Sequence, residues 1–115
     1  ARQAASHLPR ELSRVIRGKR DPATIGRPGD PDAFVVAAED IAGLNSAELA
    51  KKLTIAPSEF FTVITFRSPA TGLASPVFRS NPGFLQGGFT RGGAREFVIP
   101  NGPIPAGARI RYIGP

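Results

Sequence analysis

Glycine and proline interrupt this chain so often that only short helices and strands fit between them. The 115 residues include 13 glycines and 12 prolines, and both residue types favour turns over the interiors of helices and strands. Because 41% of the residues are apolar, the chain still has enough hydrophobic side chains to build a core. This length suits one domain, so we treat residues 1–115 as a single folding unit.

Two segments predict helices. In HLPRELSRVIRG, at 7–18, Leu8, Leu12, Val15 and Ile16 recur at helical spacing and arginines line another face. Residues 1–20 are therefore expected to form a basic amphipathic helix. In NSAELAKKL, an asparagine followed by glutamate three residues later forms a capping-box pattern, which predicts a helix over 46–53. Between them, 19–33 reads as a loop, and AFVVAAEDIAGL (33–44) fits either a strand end or a buried helical turn.

After residue 58 the pattern changes to the alternation that is typical of strands. EFFTVITFR, at 59–67, is rich in aromatic and β-branched residues and predicts a central strand. Further strands are predicted at 75–80, 95–100 and 108–114, so that 59–114 forms the sheet. Helices followed by strands indicate an α+β domain, with N-terminal helices packed on a twisted antiparallel sheet of four to five strands.

The charge is concentrated at the two ends of the chain. The net charge is +6; residues 1–20 carry six basic groups against Glu11, and residues 64–115 carry six arginines against Glu96. The middle of the chain is acidic overall. If the two ends share one face, that face favours a polyanionic partner such as nucleic acid, because lysines and arginines displace counterions from phosphates.

Composition excludes several kinds of site. The chain has no cysteine and a single histidine, His7, so thiol catalysis, cysteine-ligated zinc and a two-histidine acid–base pair are excluded. Asp30 and Asp32 are the best candidates for a carboxylate cation site, but they lie in the proline-rich turn GRPGDPD, where a structural role is simpler. We expect no metal and no cofactor. No apolar run is long enough to span a bilayer.

The alternation of the last two strands places candidate catalytic side chains on one face. Glu96 on one strand, and Arg109 and Arg111 on the other, would form a carboxylate among guanidiniums. One interpretation is a set of surface ion pairs, each contributing about 0–1 kcal/mol. The other is a general base beside cations that bind a phosphate. His7 likewise fits either a solvated pair with Glu11 or a catalytic acid or base.

The stretch GGFTRGGAREF, at 87–97, places Thr90 and Arg91 between two glycine pairs. It matches neither the dinucleotide-binding fingerprint nor the Walker loop, because it precedes a strand rather than a helix. It nevertheless offers a hydroxyl and a guanidinium to an anion. Other candidate phosphate-binding cations are Arg67, which ends an apolar strand, Arg95, and the pair Lys19 and Arg20 after the first predicted helix.

Several of these segments resemble one group of bacterial proteins. FRSNPGFLQGGFTRGGAREFVIPNGPIP, together with GRPGDPDAFVV and FFTVITFR, resembles the C-terminal toxin domains of polymorphic toxins, particularly the variable tips of contact-dependent growth-inhibition exoproteins. The resemblance covers roughly residues 20–115. It implies an antibacterial toxin that is carried at the tip of a larger secreted or cell-surface exoprotein and acts in the cytoplasm of the target bacterium. It also implies an acidic cognate immunity protein, bound to a monomeric toxin as a heterodimer.

Many domains of this group are metal-independent ribonucleases with the barnase-like fold of RNA-cleaving colicins. The resemblance therefore implies an endoribonuclease that acts on RNA, with tRNA as the expected substrate. Glu96 or His7 would be the base or acid, and Thr90 an orienting hydroxyl. The expected phosphate-binding cations are Arg67, Arg91, Arg95, Lys19, Arg20, Arg109 and Arg111, and the expected stacking aromatics are Phe84, Phe89 and Tyr112.

Two alternatives remain open from the sequence. FTVITFR and EFVIPNGPIPAGARIRYI are also similar to the arginine strand and the glutamate-led strand of ADP-ribosyltransferase toxins. In that case Arg67 would hold the NAD phosphates and Glu96 would stabilise the ribosyl cation, although the serine–threonine–serine strand of that family is missing. The third possibility is a basic module that binds RNA or a protein partner without catalysis.

Overall fold

A computed structural model describes residues 9–68, 84–85, 89–90 and 92–115. The principal sheet has five strands, all paired antiparallel, in the order β6-β2-β1-β3-β7. These are β1 (Glu11–Arg17), β2 (Asp32–Ala37), β3 (Phe61–Arg67), β6 (Glu96–Pro100) and β7 (Arg109–Ile113). A two-stranded ribbon joins β4 (Phe84–Leu85) to β5 (Phe89–Thr90). A 3-10 helix covers Ala38–Asp40, and one α-helix, α1, covers Ser46–Leu53.

The predicted α+β fold with N-terminal helices, and with it the barnase-like arrangement, was wrong. Residues 11–17 of the predicted first helix form β1, the central strand of the sheet, which pairs with β2 on one side and with all of β3 on the other. A central strand is covered on both faces, so its apolar residues need not alternate strictly with polar ones. Leu12 and Ile16 lie on one face and Val15 on the other, a spacing that also fits a helix.

The other elements follow the local patterns more closely. The predicted helix at 46–53 is confirmed, with its capping box: the Asn45 side chain accepts from the Glu48 amide and the Glu48 carboxylate accepts from the Asn45 amide. The predicted strands at 59–67, 95–100 and 108–114 correspond to β3, β6 and β7. The ambiguous segment after residue 32 is the strand β2 followed by the 3-10 helix. The strand predicted at 75–80 lies outside the described residues.

Each face of the sheet buries its own hydrophobic cluster. On one face, residues of β1, β2, β3 and β6 pack with Ile25 from the long loop after β1. On the other face, α1 contributes Leu49 and Leu53, which pack against Phe61 and Val63 of β3. The loop that contains GRPGDPD is held by Asn101, whose side chain accepts from the Gly26 amide and donates to the Arg27 and Asp30 carbonyls. The structural interpretation of this turn therefore agrees with its contacts.

Candidate functional site

A cleft of about 580 Å³ opens where β1 begins, β3 ends and β7 begins. It lies on the face of the sheet that α1 covers farther along. The strand register explains its composition: Glu11 pairs with Arg67, Ser13 pairs with Thr65, and Thr65 pairs with Arg109. Paired residues of adjacent strands point to the same face. The polar and charged residues that line the cleft are Arg10, Glu11, Glu39, Thr65, Arg109 and Arg111.

Glu11 and Arg109 form a bidentate ion pair at the mouth of this cleft. Arg109 Nη1 donates to Glu11 Oε2 and Nη2 to Oε1, each at 2.9 Å. The hydrogen bonds from Arg109 hold the pKa of Glu11 below its ordinary value, and the charge of Arg67 acts in the same direction. The Glu11 carboxylate is therefore ionised at neutral pH, and arginine side chains surround it.

Thr65, which lines the cleft, forms a buried hydroxyl pair with Ser13 on the neighbouring strand. The Ser13 and Thr65 side chains hydrogen-bond each other at 2.9 Å, and both residues are almost fully buried. A hydroxyl both donates and accepts, so this pair keeps the capacity to turn a hydrogen towards a group that enters the cleft. Thr65 lines the cleft directly. Thr65 and Arg67 are two residues apart on β3 and therefore share one face.

Within the described part of the chain, neither Arg67 nor Arg111 forms an ion pair, so both add positive charge to this region. Both are exposed; Arg111 lines the cleft, and Arg67 lies opposite Glu11 on the neighbouring strand. Together with Arg10 and Arg109, they give the cleft four guanidiniums against Glu11 and Glu39. Three of the predicted cations, Arg67, Arg109 and Arg111, are therefore brought together.

Arg95, at the rim of the cleft, binds two carboxylates of the protein itself. Its guanidinium donates to both carboxylate oxygens of Asp40, at 2.9 and 3.0 Å, and forms an ion pair with Glu39 at 2.9 Å. Its backbone amide also donates to Asp40. The hydrogen bond with Asp40 raises the pKa of Arg95 further above its already high value. Arg95 thus fastens the segment before β6 to the 3-10 helix, and its guanidinium is occupied.

Breaking this contact should weaken the fold in a pH-dependent way. Burial opposes ionisation of Asp40, but the hydrogen bonds from Arg95 outweigh it and lower the pKa of Asp40. A carboxyl whose pKa is lower in the folded than in the unfolded chain stabilises the fold above its unfolded pKa, and the effect disappears as pH falls through the folded pKa. Asp40→Asn should therefore lower the urea midpoint at about pH 7 and leave it nearly unchanged at about pH 2.

Urea unfolding followed by circular dichroism at several pH values measures this difference. Asp32→Asn is the matched control, because Asp32 is an exposed carboxylate at the other end of β2. An equal loss of stability for Asp40→Asn at both pH values would mean that ionisation of Asp40 is not the origin of the effect.

Thr90 and its glycine-rich loop pack against the end of α1. The Thr90 hydroxyl donates to the Lys52 carbonyl at 2.6 Å and accepts from the Ala94 amide at 3.1 Å. Gly92 approaches the Lys52 backbone so closely that a Cβ atom would overlap it. The hydroxyl of Thr90 is thus engaged in holding the loop. Arg91 and His7 lie outside the described residues, as do the side chains of Phe84 and Phe89.

Glu96 lies on the same face as Arg109 but at the opposite edge of the sheet. The register joins Glu96 to Val36, Val36 to Ser13, Ser13 to Thr65 and Thr65 to Arg109. Four strand spacings of about 4.8 Å separate the two backbones by about 19 Å. Glu96 instead lines a smaller pocket of about 100 Å³ together with Thr90 and Ser13. The predicted group of Glu96, Arg109 and Arg111 is therefore not formed.

Lys19 and Arg20 also lie away from the cleft, in the turn that follows β1. Because β1 runs from Glu11 at the cleft to Arg17 at its far end, about 20 Å of strand separates this turn from Glu11. The side chains of Lys19 and Arg20 are exposed there, next to Tyr112. They form a separate basic surface.

The sequence interpretation missed Glu11 as the carboxylate of the cleft, and Glu39 on its rim. In the predicted helix over 7–18, Glu11 lies near His7, and its pairing with Arg67 on a neighbouring strand is not foreseen. The alternation of Glu11, Ser13 and Val15 was the available signal, since these three residues share one face of β1. No local sequence signal predicts Glu39 at the cleft, because Glu39 reaches the cleft only through the pairing of β1 with β2.

Among the described residues, no three histidine, cysteine, aspartate or glutamate side chains come together as metal ligands. Within the same ranges, no helix has the length and apolar character needed to cross a bilayer.

Comparison with known proteins identifies the group to which this chain belongs. The family model described as Novel toxin 10 (Ntox10) matches residues 1–114. No curated protein and no solved structure matches the chain. The family match spans the cleft, both hydrophobic clusters and the glycine-rich loop, and it agrees with the toxin expected from the sequence. The chain therefore belongs to the Ntox10 family and is a bacterial polymorphic toxin domain.

Proposed function

We propose that this toxin domain is an endoribonuclease whose active site is the cleft around Glu11. The observation that carries the proposal is the Glu11 carboxylate paired with Arg109 and accompanied by Thr65, Arg67 and Arg111 on one face. Cleavage of RNA by its own 2′-hydroxyl needs a proton acceptor and cations that stabilise a phosphorane. The cleft offers both kinds of group.

In the proposed reaction, the Glu11 carboxylate takes the proton of the ribose 2′-hydroxyl. The 2′-oxygen then forms a bond to phosphorus while the bond from phosphorus to the 5′-oxygen breaks, leaving a 2′,3′-cyclic phosphate. Arg109 and Arg111 stabilise the added negative charge, and Arg67 attracts the neighbouring phosphate. The Thr65 hydroxyl orients the substrate. We propose His7, which the sequence suggested as either the base or the acid, as the proton donor to the leaving oxygen.

The carboxylate proposed for this chemistry is now Glu11 rather than Glu96. Glu11 lies among exposed arginines, whereas Glu96 lies at the far edge of the sheet beside the glycine-rich loop. Arg67 and Glu96 are likewise three strand spacings apart, about 14 Å. Since the ADP-ribosyltransferase alternative needs these two residues in one site, no observation favours it.

The expected partners follow from the toxin family and the charge. We propose that the domain is delivered as the tip of a larger exoprotein, by contact-dependent growth inhibition, and cleaves tRNA in the cytoplasm of the target cell. In the producing cell an acidic immunity protein would bind the monomeric domain as a heterodimer. Complementarity to the basic cleft is the physical reason to expect acidic residues in that protein.

The test is incubation of the purified domain with total bacterial RNA and with purified tRNA, each with and without EDTA. We expect discrete products that end in a 2′,3′-cyclic phosphate and are unaffected by EDTA. A parallel reaction contains NAD and a bacterial lysate. Intact RNA together with NAD consumption would replace the proposal with the ADP-ribosyltransferase alternative. Binding of RNA without any cleavage or NAD consumption would leave a non-catalytic binding module.

A further inference from the structure

A second exposed surface, with cations beside aromatic rings, lies at the end of the sheet opposite the cleft, on the other face. Ile110 and Tyr112 of β7 are two residues apart and point to this face, and they remain 42% and 52% exposed. Among the described residues, Ile55 is the other large apolar side chain exposed to this degree. We call Ile110, Tyr112 and the half-buried Phe60 the aromatic strip.

The turn after β1 places cations against the aromatic strip. Lys19 Nζ lies 4.2 Å from the centre of the Phe60 ring and 5.9 Å from that of Tyr112. Arg20, next to Lys19, is also exposed, whereas Arg17 pairs with Phe61 and points to the face that α1 covers. Asp21 and Glu59 are the nearby carboxylates along the chain, so the attraction to a phosphate is local and comes from Lys19 and Arg20.

Three hydrogen bonds fix this turn before any ligand arrives. The fully buried Thr62 hydroxyl donates to the Gly18 carbonyl at 2.7 Å and accepts from the Arg20 amide at 2.8 Å. Gly18 has a positive φ of 81°, which favours glycine. Tyr112 donates its hydroxyl to the Arg20 carbonyl at 3.2 Å. Lys19 is thus held next to exposed ring surface, which is the arrangement a stacked base with a flanking phosphate requires.

We propose that the aromatic strip and its cations bind single-stranded nucleic acid outside the catalytic cleft. A base would stack on the exposed face of Tyr112, Lys19 would bind the adjoining phosphate, and Arg20 would contact the backbone beyond it. This inference rests on the proposed ribonuclease function, because it makes the strip a substrate-binding surface about 20 Å along the strands from Glu11. This surface would increase the affinity for RNA and would take no part in the cleavage step.

Fluorescence anisotropy with a short labelled 2′-O-methyl oligonucleotide tests the inference without cleavage, because this probe lacks the 2′-hydroxyl. Tyr112→Leu should weaken binding about tenfold, as loss of one stacked base predicts. Tyr112→Phe, which keeps the ring, should bind like the wild type. Lys19→Gln should lower the slope of log affinity against log salt by about 0.7, the value for one phosphate contact on a single strand.

Two controls separate this effect from general loss of charge or fold. Lys51→Gln removes one exposed cation from α1, and Ile55→Ala removes exposed apolar surface elsewhere; neither should alter binding. Lys19→Gln changes an exposed side chain, so it tests the surface even if Tyr112→Leu proves unstable. Unchanged affinity and unchanged salt slope in Lys19→Gln and Tyr112→Leu would overturn the inference.

The outcome for the proposed function is measured separately. If the strip variants bind normally while the wild type cleaves RNA, the inference fails and the ribonuclease stands. If the wild type cleaves no RNA but the strip variants lose oligonucleotide binding, the surface is supported and the catalytic proposal fails. In the case expected here, the strip variants raise KM for RNA and leave kcat unchanged.

Discussion

Glu11→Gln should reduce RNA cleavage by about 10²–10⁴-fold, the range expected when a general base is lost. Glutamine keeps the size of the side chain and one acceptor oxygen, but it cannot take up the 2′-hydroxyl proton. The change should leave the sheet intact, because Glu11 is partly exposed and its ion pair with Arg109 is a surface pair. The loss should appear in kcat, with little change in affinity for a 2′-O-methyl oligonucleotide.

The measurement is a single-turnover cleavage rate with end-labelled tRNA, together with thermal unfolding of each variant. Asp32→Asn is the charge-matched control, because Asp32 is an exposed carboxylate at the start of β2, away from the cleft. Glu96→Gln tests the carboxylate that the sequence pattern favoured. If Glu96→Gln abolishes cleavage and Glu11→Gln does not, the active site lies at the β6 edge and the proposal for the cleft is wrong.

Elements with a strong local pattern were predictable from the sequence. In α1 the capping residues and the apolar positions lie within a few residues of one another, so the sequence signal and the hydrogen bonds coincide. In β3, the six consecutive buried residues are all aromatic or β-branched. Such a strand is stabilised by burial on both faces, and its composition reveals this without knowledge of its neighbours.

β1 shows where the local pattern fails. Its apolar residues point to both faces because the strand is central, and the resulting spacing of Leu12, Val15 and Ile16 imitates a helical stripe. Residues 11–17 are more stable as a strand than as a helix only because they pair with residues about fifty positions away, such as Ser13 with Thr65. Tertiary pairing of this kind overrides helix propensity, which is a weak preference of less than about 1 kcal/mol per residue.

The candidate site was predictable in residue type but not in arrangement. The sequence led us to expect the Glu96 carboxylate among arginines, whereas the structure places Arg109 and Arg111 in the cleft with Glu11. The sequence order made β6 and β7 look like neighbours, whereas the sheet puts them at opposite edges. The carboxylate beside Arg109 comes from β1, and the strand order that brings it there has no local signal.

The glycine-rich loop shows the same limitation for a single motif. Its glycines and threonine resembled an anion-binding loop, yet in the structure the Thr90 hydroxyl and the Gly92 backbone both contact the Lys52 carbonyl region. The need for glycine here is a close approach of two backbones.

Gly92→Ala should destabilise the domain by about 3 kcal/mol, the upper end of the cost of overpacking. The new Cβ would overlap the backbone of Lys52, which is held in the last turn of α1 and cannot rotate away as a side chain can. The loop or the helix end must therefore move, and the hydrogen bonds from Thr90 weaken with it. Thermal unfolding should show a fall in Tm of about 10 °C or more for a domain of this size.

Gly102→Ala is the matched control, because a Cβ at Gly102 would meet no atom and this glycine has no positive φ. Its effect should stay within about 0.5 kcal/mol, as for most surface changes. Both variants should keep RNA cleavage at temperatures where they are folded, since neither residue lines the cleft. A Gly92→Ala protein that unfolds like the wild type but loses RNA binding would restore the phosphate-binding role of the loop, because the close packing on α1 would then not explain the glycine.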